Sequence, residues 1–353
     1  MSVREGGGLV GAQSRQVTLA DIAREAGTSA STASRALSGR GYVSPPARDR
    51  LLEAAERLGY VPDASARTLK QRTSRVVGVA VSDLGNQFYA LLAAGIEQTL
   101  READYQMVLV SDNSDRAQEL SFARTFLAMR AAGVIMTPAD SAAASLLARN
   151  GVDVVEVDRQ LAEVPCDAVV IDNEEGGRLA TAHLLELGHR RIGLLVADTD
   201  WTTDAGRLAG YRSAHAEASV VVDERLILPI VFHAPDAEQR IAALLDEHAP
   251  TAIFAANNQL AEHAWKVLRV RGLRLAQDVS LVGFDDVAWT SMVDPGITVV
   301  AQPTLELGRR AAHLLLRRIA DPGCEPGFEC LEPTLVVRGS TAPPTTPLAE
   351  HQP

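Results

Sequence analysis

The chain has 353 residues, more than one hydrophobic core usually serves, so two or three domains are expected. Residues 1–75 contain 12 Arg and Lys and 7 Asp and Glu, a net charge of +5. The formal charge of the whole chain is −11, so the remaining residues carry −16. A basic end on an acidic chain is typical of a protein that binds a polyanion through that end. Residues 1–16 contain no apolar export signal, and no later run approaches the roughly 18 apolar residues of a membrane span, so we expect a cytoplasmic protein without membrane contact.

Residues 17–38 contain two short helical patterns separated by Gly27, which is the spacing of a helix-turn-helix. The first pattern has apolar residues at i, i+3, i+4 and i+7, namely Leu19, Ile22, Ala23 and Ala26. The second begins at the candidate N-cap Ser29 and turns inward Ala33, Ala36 and Leu37. The outward face can lie in a DNA major groove, the alternative being an ordinary helical hairpin; it consists of Ala30, Ser31, Ser34 and Arg35.

A third helical pattern begins at Ser44-Pro45, an N-cap and first-turn pair, and its inner stripe closes a small three-helix core. Residues 63–70 then form a helix-permissive stretch of about two turns, which is too short to be stable alone in water. This segment needs a partner in order to fold.

From Val76 onward, short apolar runs alternate with amphipathic stretches, as parallel strands joined by helical crossovers do. The predicted strands are 76–81, 107–110, 134–136, 152–157, 192–196, 252–255 and 280–283, and the predicted crossovers include 88–102, 176–187 and 261–271. Two blocks of similar length, about 75–172 and 173–301, predict an α/β body of two doubly wound lobes with a crevice between them.

The chain resembles the LacI/GalR family of bacterial repressors, through motifs that follow one another from about residue 16 to residue 341. They are residues 18–23, 34–35, 43–45, 59–62 and 66–69, and in the body 172–173, 187–192, 207–211, 282–286, 302–303 and 338–341. The resemblance implies a periplasmic-binding-protein-like body of parallel sheets behind a helix-turn-helix headpiece. The expected domains are a disordered N-terminus at 1–15, a headpiece at 16–62, a hinge helix and linker at 63–74, a first lobe at 75–172 and 302–332, a second lobe at 173–301 and 333–341, and a disordered, proline-rich tail at 342–353.

The resemblance also implies which residues meet DNA. Arg35 can reach O6 and N7 of a guanine, with a phosphate contact as the alternative, and Leu69 is the expected wedge that enters the minor groove, with packing as the alternative. Asp63 stands where the family usually has asparagine; it is a sound N-cap whose charge is unfavourable beside DNA. Expected phosphate contacts, with helix capping or packing as the alternative, are Thr18, Ser29, Thr32, Ser34 and Tyr42. The full set of expected DNA contacts is Thr18, Leu19, Ser29, Ala30, Ser31, Thr32, Ser34, Arg35, Tyr42, Ala66, Arg67, Leu69 and Lys70.

In the body, the resemblance makes Arg207 and Asp285 a pair that holds vicinal hydroxyls or a similar polar ligand, with a salt bridge between the lobes as the alternative. Asn258 departs from the family's usual aspartate and Ala205 from a common polar residue, which can alter the ligand class. The full set of expected effector contacts is Phe88, Tyr89, Asp158, Arg159, Arg207, Phe232, Asn257 and Asp285, in which the two adjacent aromatic rings either stack on the ligand or pack in the core.

No catalytic motif competes with these features: the sequence has no Walker loop, no G-x-G-x-x-G after a strand and no G-x-S-x-G elbow. His183 and His189 are six residues apart, so a structural role is favoured over a metal pair. Cys166, Cys324 and Cys330 are expected to be free thiols, although a bridge between the last two is the alternative. We therefore expect no cofactor and no metal.

The helix-turn-helix pattern predicts a DNA-binding regulator. The resemblance implies that it is homodimeric and ligand-responsive, most simply a repressor of a carbohydrate-use operon that binds a palindromic operator in double-stranded DNA and a sugar or sugar derivative as effector. The alternatives are a solute-binding receptor with the same crevice, a regulator co-repressed by a purine-type ligand, and an enzyme of small-molecule metabolism. The first of these is disfavoured by the missing export signal and the basic headpiece.

Overall fold

The computed structural model describes residues 17–38, 41–60, 74–161, 166–197, 201–231 and 234–345. The chain divides into two compact units, Met1–Arg72 and Thr73–Pro353, which we call the headpiece and the body. The expected N-terminal segment 1–15 and the hinge residues Ala66, Arg67, Leu69 and Lys70 lie outside the described residues, as does Phe232.

The described part of the headpiece forms three helices, α1 (Leu19–Glu25), α2 (Ala30–Ser38) and α3 (Pro45–Leu58). Their apolar stripes meet in one core around Ile22, Ala33 and Leu51, all fully buried. Gly27 (φ 63°) makes the turn between α1 and α2 with the positive φ that glycine adopts without strain. The helix-turn-helix prediction is confirmed.

The body contains two six-stranded sheets. The first has the order β11-β5-β4-β3-β1-β2 with every pairing parallel, and the second has the order β12-β10-β9-β8-β6-β7, in which only β12 runs antiparallel. The strands of the first sheet are β1 (Val76–Val81), β2 (Gln106–Ser111), β3 (Gly133–Met136), β4 (Asp153–Val157), β5 (Asp167–Ile171) and β11 (Phe328–Leu331). Those of the second are β6 (Ile192–Ala197), β7 (Ile227–Ile230), β8 (Ala252–Ala255), β9 (Ser280–Phe284), β10 (Thr298–Ala301) and β12 (Thr334–Val336). We call the two halves the first and second lobe.

Helical crossovers connect the parallel strands and cover both faces of each sheet, so the strands read as continuous apolar runs. The helices are α4 (Gln87–Glu102), α5 (Arg116–Ala128), α6 (Ser141–Arg149), α7 (Asn173–Glu186), α8 (Thr202–Glu217), α9 (Ala237–His248), α10 (Asn258–Val270), α11 (Ala288–Met292) and α12 (Thr304–Ala320). No described helix is both long enough and apolar enough to cross a bilayer.

β12 corresponds to a final strand that the resemblance predicts at 334–337. Four described strands have no predicted counterpart, namely β5, β7, β10 and β11. β7 and β11 are edge strands, and their mixed residues, which include Pro229 and Glu329, give no continuous apolar run.

The disordered tail was predicted to begin at residue 342, but residues 342–345 are part of the folded body. Ala342 exchanges hydrogen bonds with Ser280 (N to Oγ and Oγ to O, both 3.1 Å) and Thr345 donates to the Gln277 carbonyl (3.2 Å), so residues 342–345 pack on the second lobe.

Candidate functional site

The outer surface of α2 is polar and open. Ala30, Ser31, Ser34 and Arg35 are all exposed, as the helical pattern predicted. The Arg35 side chain lies back along the helix, where its Nε donates to the Ser31 carbonyl at 3.3 Å. The guanidinium has five N–H donors, and the side chain is long enough to extend from this surface to an acceptor outside it.

Several of the expected DNA contacts have structural partners of their own. Thr18 forms a capping box with Asp21 at the start of α1, and Ser29 caps α2 by accepting from the Thr32 backbone N–H at 3.2 Å. Leu19 is half-buried against the three-helix core, whereas Tyr42 is 84% exposed. The capping alternative is thus present for Thr18 and Ser29, and packing is present for Leu19.

In the body, the carboxyl ends of β1, β4, β6, β8 and β9 surround a cleft with about 470 Å³ of empty space, part of which is open solvent. Ligands of parallel α/β sheets bind at this end of the strands, because the crossover loops converge there. The cleft is lined from both lobes by Asn86, Phe88, Tyr89, Asp158, Arg159, Ala197, Trp201, Thr203, Asp204, Arg207, Asn257, Gln259, Asp285 and Gln302.

The second lobe presents a buried guanidinium and a buried carboxylate. Arg207 in α8 donates to Asn173 Oδ1 (2.9 Å) and to the Ala256 carbonyl (2.6 Å), and its guanidinium lies 3.8 Å from the ring centroid of Phe284. Asp285, directly after β9, accepts from Gln302 Nε2 (2.5 Å) and Asn258 Nδ2 (2.8 Å). Because both charged residues belong to the second lobe, the alternative of a salt bridge between the lobes is wrong.

The first lobe presents a similar pair. Asp158, directly after β4, accepts from the Tyr89 hydroxyl at 3.3 Å, and Arg159 Nη2 donates to the same hydroxyl oxygen at 3.2 Å. The guanidinium lies 3.4 Å from the ring centroid of Trp201, across the cleft. Arg159 Nε and Nη1 are buried without a hydrogen-bond partner. A buried guanidinium with free donors is costly, so these atoms are available to acceptor groups of a bound molecule.

Burial controls the electrostatics of this lobe. Burial raises the pKa of the Asp158 carboxyl group, although the neighbouring Arg159 and Arg207 guanidinium groups act in the opposite direction. Burial also raises the pKa of the Tyr89 hydroxyl group. The hydroxyl therefore keeps its proton and donates it to Asp158.

Seven of the eight expected effector contacts line this one cleft, and the eighth, Phe232, lies outside the described residues. Phe88 and Tyr89 also belong to the hydrophobic core, and their rings lie 5.0 Å apart, edge to face. The two rings therefore both line the cleft and pack in the core. The sequence interpretation missed Asn86, Ala197, Trp201, Thr203, Asp204, Gln259 and Gln302. Trp201, one of three tryptophans in the chain, follows a buried strand and was the clearest available signal.

The remaining candidates have structural surroundings. His183 Nε2 lies 2.9 Å from Thr341 Oγ1, and His189 bonds Thr251 Oγ1 and the Ala342 carbonyl, both at 2.9 Å, so the two imidazoles fasten the C-terminal segment to the second lobe. The three cysteines are free thiols. Within the described ranges, no group of three or more His, Cys, Asp or Glu residues is placed to hold a metal ion.

A helix-turn-helix unit in one chain with a two-lobed body and a charged central cleft defines a ligand-responsive, DNA-binding regulator of transcription. Comparison with known proteins agrees. Residues 18–63 match the model of bacterial regulatory proteins of the lacI family, and residues 181–341 match a periplasmic binding protein-like domain. The chain is 32% identical to the HTH-type transcriptional regulator DegA of Bacillus subtilis (strain 168) over 336 residues, which cover 94% of this chain and 100% of DegA.

Two solved structures extend the comparison. The transcriptional regulator CelR in complex with cellobiose is 32% identical, with a TM-score of 0.70 and coverage of 92% of this chain and 100% of that one. The lac repressor dimer bound to operator and the anti-inducer ONPF is 27% identical, with a TM-score of 0.78 and coverage of 93% and 100%. The chain therefore belongs to the LacI family of bacterial transcriptional regulators, and the predicted family and fold class are confirmed.

Proposed function

We propose that the cleft binds a neutral sugar as the effector of this regulator. The observation that carries the proposal is the placement of one buried carboxylate and one buried guanidinium on each side of the cleft, Asp158 with Arg159 and Asp285 with Arg207. A carboxylate accepts from hydroxyl groups and a guanidinium donates to them, so each pair suits the mixed donors and acceptors of a diol.

The charge of the lining favours a neutral ligand over an anionic one. Two guanidinium groups, Arg159 and Arg207, face three carboxyl groups, those of Asp158, Asp204 and Asp285. Among the described lining residues, positive charge does not exceed negative charge, so this lining does not favour a phosphate or a carboxylate. The cellobiose held by CelR supports a sugar as the ligand class.

The regulator acts, on this proposal, as a homodimer on a palindromic operator and represses a carbohydrate-use operon in the cytoplasm. Sugar binding changes operator affinity only if the sugar has different affinities for two arrangements of the lobes. The lac repressor dimer on its operator supports the dimer and the DNA target. The sugar is bound without turnover, so the protein is not an enzyme and needs no cofactor.

The proposed domains and contacts keep the bounds given by the sequence. The headpiece spans 16–62 and reads DNA through α2, with Arg35 on a base and Ser34 and Tyr42 on phosphates; the hinge spans 63–74, and the two lobes follow as 75–172 with 302–332 and 173–301 with 333–341. The exposed outer face of α2 supports this assignment.

A melting-temperature screen tests the ligand class, because a ligand that binds only the native state raises the melting temperature. The probes are D-ribose, D-glucose, cellobiose, glucose 6-phosphate and hypoxanthine. We expect a stabilising neutral sugar that also changes the affinity of the full chain for a palindromic operator, measured by fluorescence anisotropy. Stabilisation by hypoxanthine alone would support a purine-responsive regulator instead, and conversion of a bound sugar to product would identify an enzyme.

A further inference from the structure

A second cavity lies beside the cleft, and we call it the side pocket. It has about 560 Å³ of empty space, part of which is open solvent, at the carboxyl ends of β6, β7 and β8. Every described residue of its lining belongs to the second lobe, so the shape of the side pocket is set within that lobe. The lining consists of Ala197, Ile230, Val231, Ala234, Ala237, Asn257, Gln259, Leu260, Glu262, His263 and Lys266.

The side pocket shares a border with the cleft, because Ala197, Asn257 and Gln259 line both cavities. Ala197 contributes only a methyl group to this border. The two amide side chains are held in place: Asn257 Oδ1 accepts from the Leu260 backbone N–H at 2.8 Å, and Gln259 Nε2 donates to Asp83 Oδ2 at 2.9 Å. A molecule in the cleft therefore reaches the side pocket past one small side chain and two fixed amides.

The wall of the side pocket is aliphatic. Ile230, Ala237 and Leu260 form its buried part, and Val231, which is 53% exposed, and Ala234 continue it toward solvent. No Phe, Tyr or Trp belongs to the described lining. The hydroxyl groups of a second sugar ring would lose water here and gain few partners, whereas an apolar group is transferred favourably from water to such a wall.

The charged groups at the rim of the side pocket neutralise one another. Lys266 Nζ lies 2.6 Å from Glu262 Oε1, and His263 Nδ1 lies 3.2 Å from Glu238 Oε1, in a contact that joins α10 to α9. The described rim therefore offers no surplus charge to a phosphate or carboxylate group. It suits a neutral substituent, as the cleft suits a neutral sugar.

We propose that the side pocket receives an apolar substituent of the effector, so that the effector is an alkyl or aryl glycoside rather than a free sugar. The proposal rests on the proposed function for the sugar in the cleft, but not for the affinity of the side pocket for apolar groups. Affinity should increase with the apolar surface that the substituent removes from water. A phenyl group removes much more of it than a methyl group does.

Calorimetric titration of the full chain with matched glycosides tests the proposal. The probes are the methyl and phenyl glycosides of D-glucose and D-ribose, each as the α and the β anomer. We expect at least one phenyl glycoside to bind at least ten times more tightly than the methyl glycoside of the same sugar and anomer. Equal affinities within every pair that binds would overturn the proposal.

Two substitutions in the wall locate the gain in affinity. Val231→Asp adds a charge at the exposed part of the wall, and Ala234→Leu fills space within the side pocket. We expect both variants to lose the preference for the phenyl glycoside and to bind the methyl glycoside within about twofold of the wild type. Val221→Asp makes the same change as Val231→Asp at a 91% exposed site outside both cavities, and should keep the preference. A preference that persists in both wall variants, or an equal loss for both glycosides, would contradict a separate apolar site.

A measurement without sugar separates this proposal from the proposed function. Benzyl alcohol is the probe, and methyl signals in carbon-13 spectra of the wild-type chain are the readout. We expect it to shift the methyl signals of Ile230 and Leu260 and to leave that of Ile96, in the core of the first lobe, unchanged. The same addition to Ala234→Leu should shift the Ile230 and Leu260 signals much less. Unshifted Ile230 and Leu260 signals in the wild type would overturn the side pocket; failure of every glycoside to bind the wild type, with these signals shifted, would instead overturn the sugar as the ligand class.

Discussion

Asp158 and Asp285 occupy equivalent positions in the two lobes. Each directly follows the third strand of its sheet, β4 or β9, counted from the edge strand β11 or β12. Each adopts a left-handed backbone conformation, with φ 70° and 72°, although neither is glycine. Such a conformation costs roughly 1–3 kcal/mol and persists where the surroundings enforce it, often at functional sites. Both lobes therefore turn a strained aspartate into the cleft.

Replacing Arg207 by alanine is expected to abolish the sugar response while operator binding remains. Charge-assisted hydrogen bonds contribute about 1.5–3 kcal/mol each, so the loss of sugar affinity should be at least tenfold. The matched control is Arg212→Ala on the same helix, where an exposed side chain pairs with Glu224 at 2.8 Å. Calorimetric titration with the sugar and anisotropy with operator DNA separate the two effects; loss of operator binding by a folded Arg207→Ala protein would make Arg207 a structural group.

Replacing Arg35 by alanine is expected to relax preference at one base pair per half-site, by about 1–3 kcal/mol if the contact is bidentate. The physical reason is that only a base-edge contact carries sequence information. Arg57→Ala on α3 removes the same charge elsewhere in the headpiece and should leave preference unchanged. Affinities for a set of single-base operator variants at one fixed salt concentration check this. A uniform loss over all sequences would reassign Arg35 to the phosphates.

The sequence predicted those cleft residues that are charged and come shortly after a predicted strand or lie in a recognised motif. Arg207 and Asp285 each come with a motif, whereas Thr203 and Gln259 lie in none of the motifs and reach the cleft only through the folding of distant segments. The two hydrogen bonds of Asn258 are of the second kind. The sequence shows that Asn258 lacks the negative charge of the family's usual aspartate. It does not show the two acceptors of the Asn258 amide, Asn86 and Asp285, which are 172 and 27 residues away in the chain. The hinge, Leu69 included, lies outside the described residues, and its predicted wedge remains a prediction.

Glycines at matching positions allow helices to pack closely in both lobes. Gly308 lies against the Leu92 carbonyl where α12 meets α4, and Gly177 lies against the Arg207 carbonyl where α7 meets α8; a Cβ atom at either would overlap that backbone oxygen. We expect Gly308→Ala and Gly177→Ala each to destabilise the protein by about 3 kcal/mol, since backbone must move to accommodate the methyl group. Urea unfolding measures this.

The control for these variants is Gly323→Ala, where the added Cβ would make only an ordinary contact with Asp321 at 3.6 Å. It should change the free energy of unfolding by well under 1 kcal/mol, about the range of a neutral surface substitution. Gly177→Ala is also expected to weaken the sugar response, because it displaces the helix that carries Arg207. A free energy of unfolding for Gly308→Ala equal to that of Gly323→Ala would show that the helices separate easily.

Glu119 makes the stability of the body depend on pH. Its side chain is 1% exposed and accepts from the backbone N–H groups of Ala139 (3.1 Å) and Asp140 (3.3 Å). Burial raises the pKa of its carboxyl group to about 7, with the nearby Asp112 and Asp140 carboxylates acting in the same direction. The folded chain therefore holds a proton on Glu119 between about pH 4.5 and 7 that the unfolded chain has released. The free energy of unfolding falls as the pH rises through this window and stays low above it.

Glu119→Gln removes this titration and keeps an acceptor for the backbone. The free energy of unfolding of the variant, relative to wild type, should rise by up to about 3 kcal/mol between pH 5 and pH 8, since one pKa unit corresponds to about 1.4 kcal/mol. Urea unfolding at a series of pH values measures the difference, in which contributions of Asp112 and the buried histidines largely cancel. Glu247→Gln, on the exposed side of α9, should run parallel to wild type. A parallel curve for Glu119→Gln as well would mean that the folded body leaves Glu119 with its ordinary pKa.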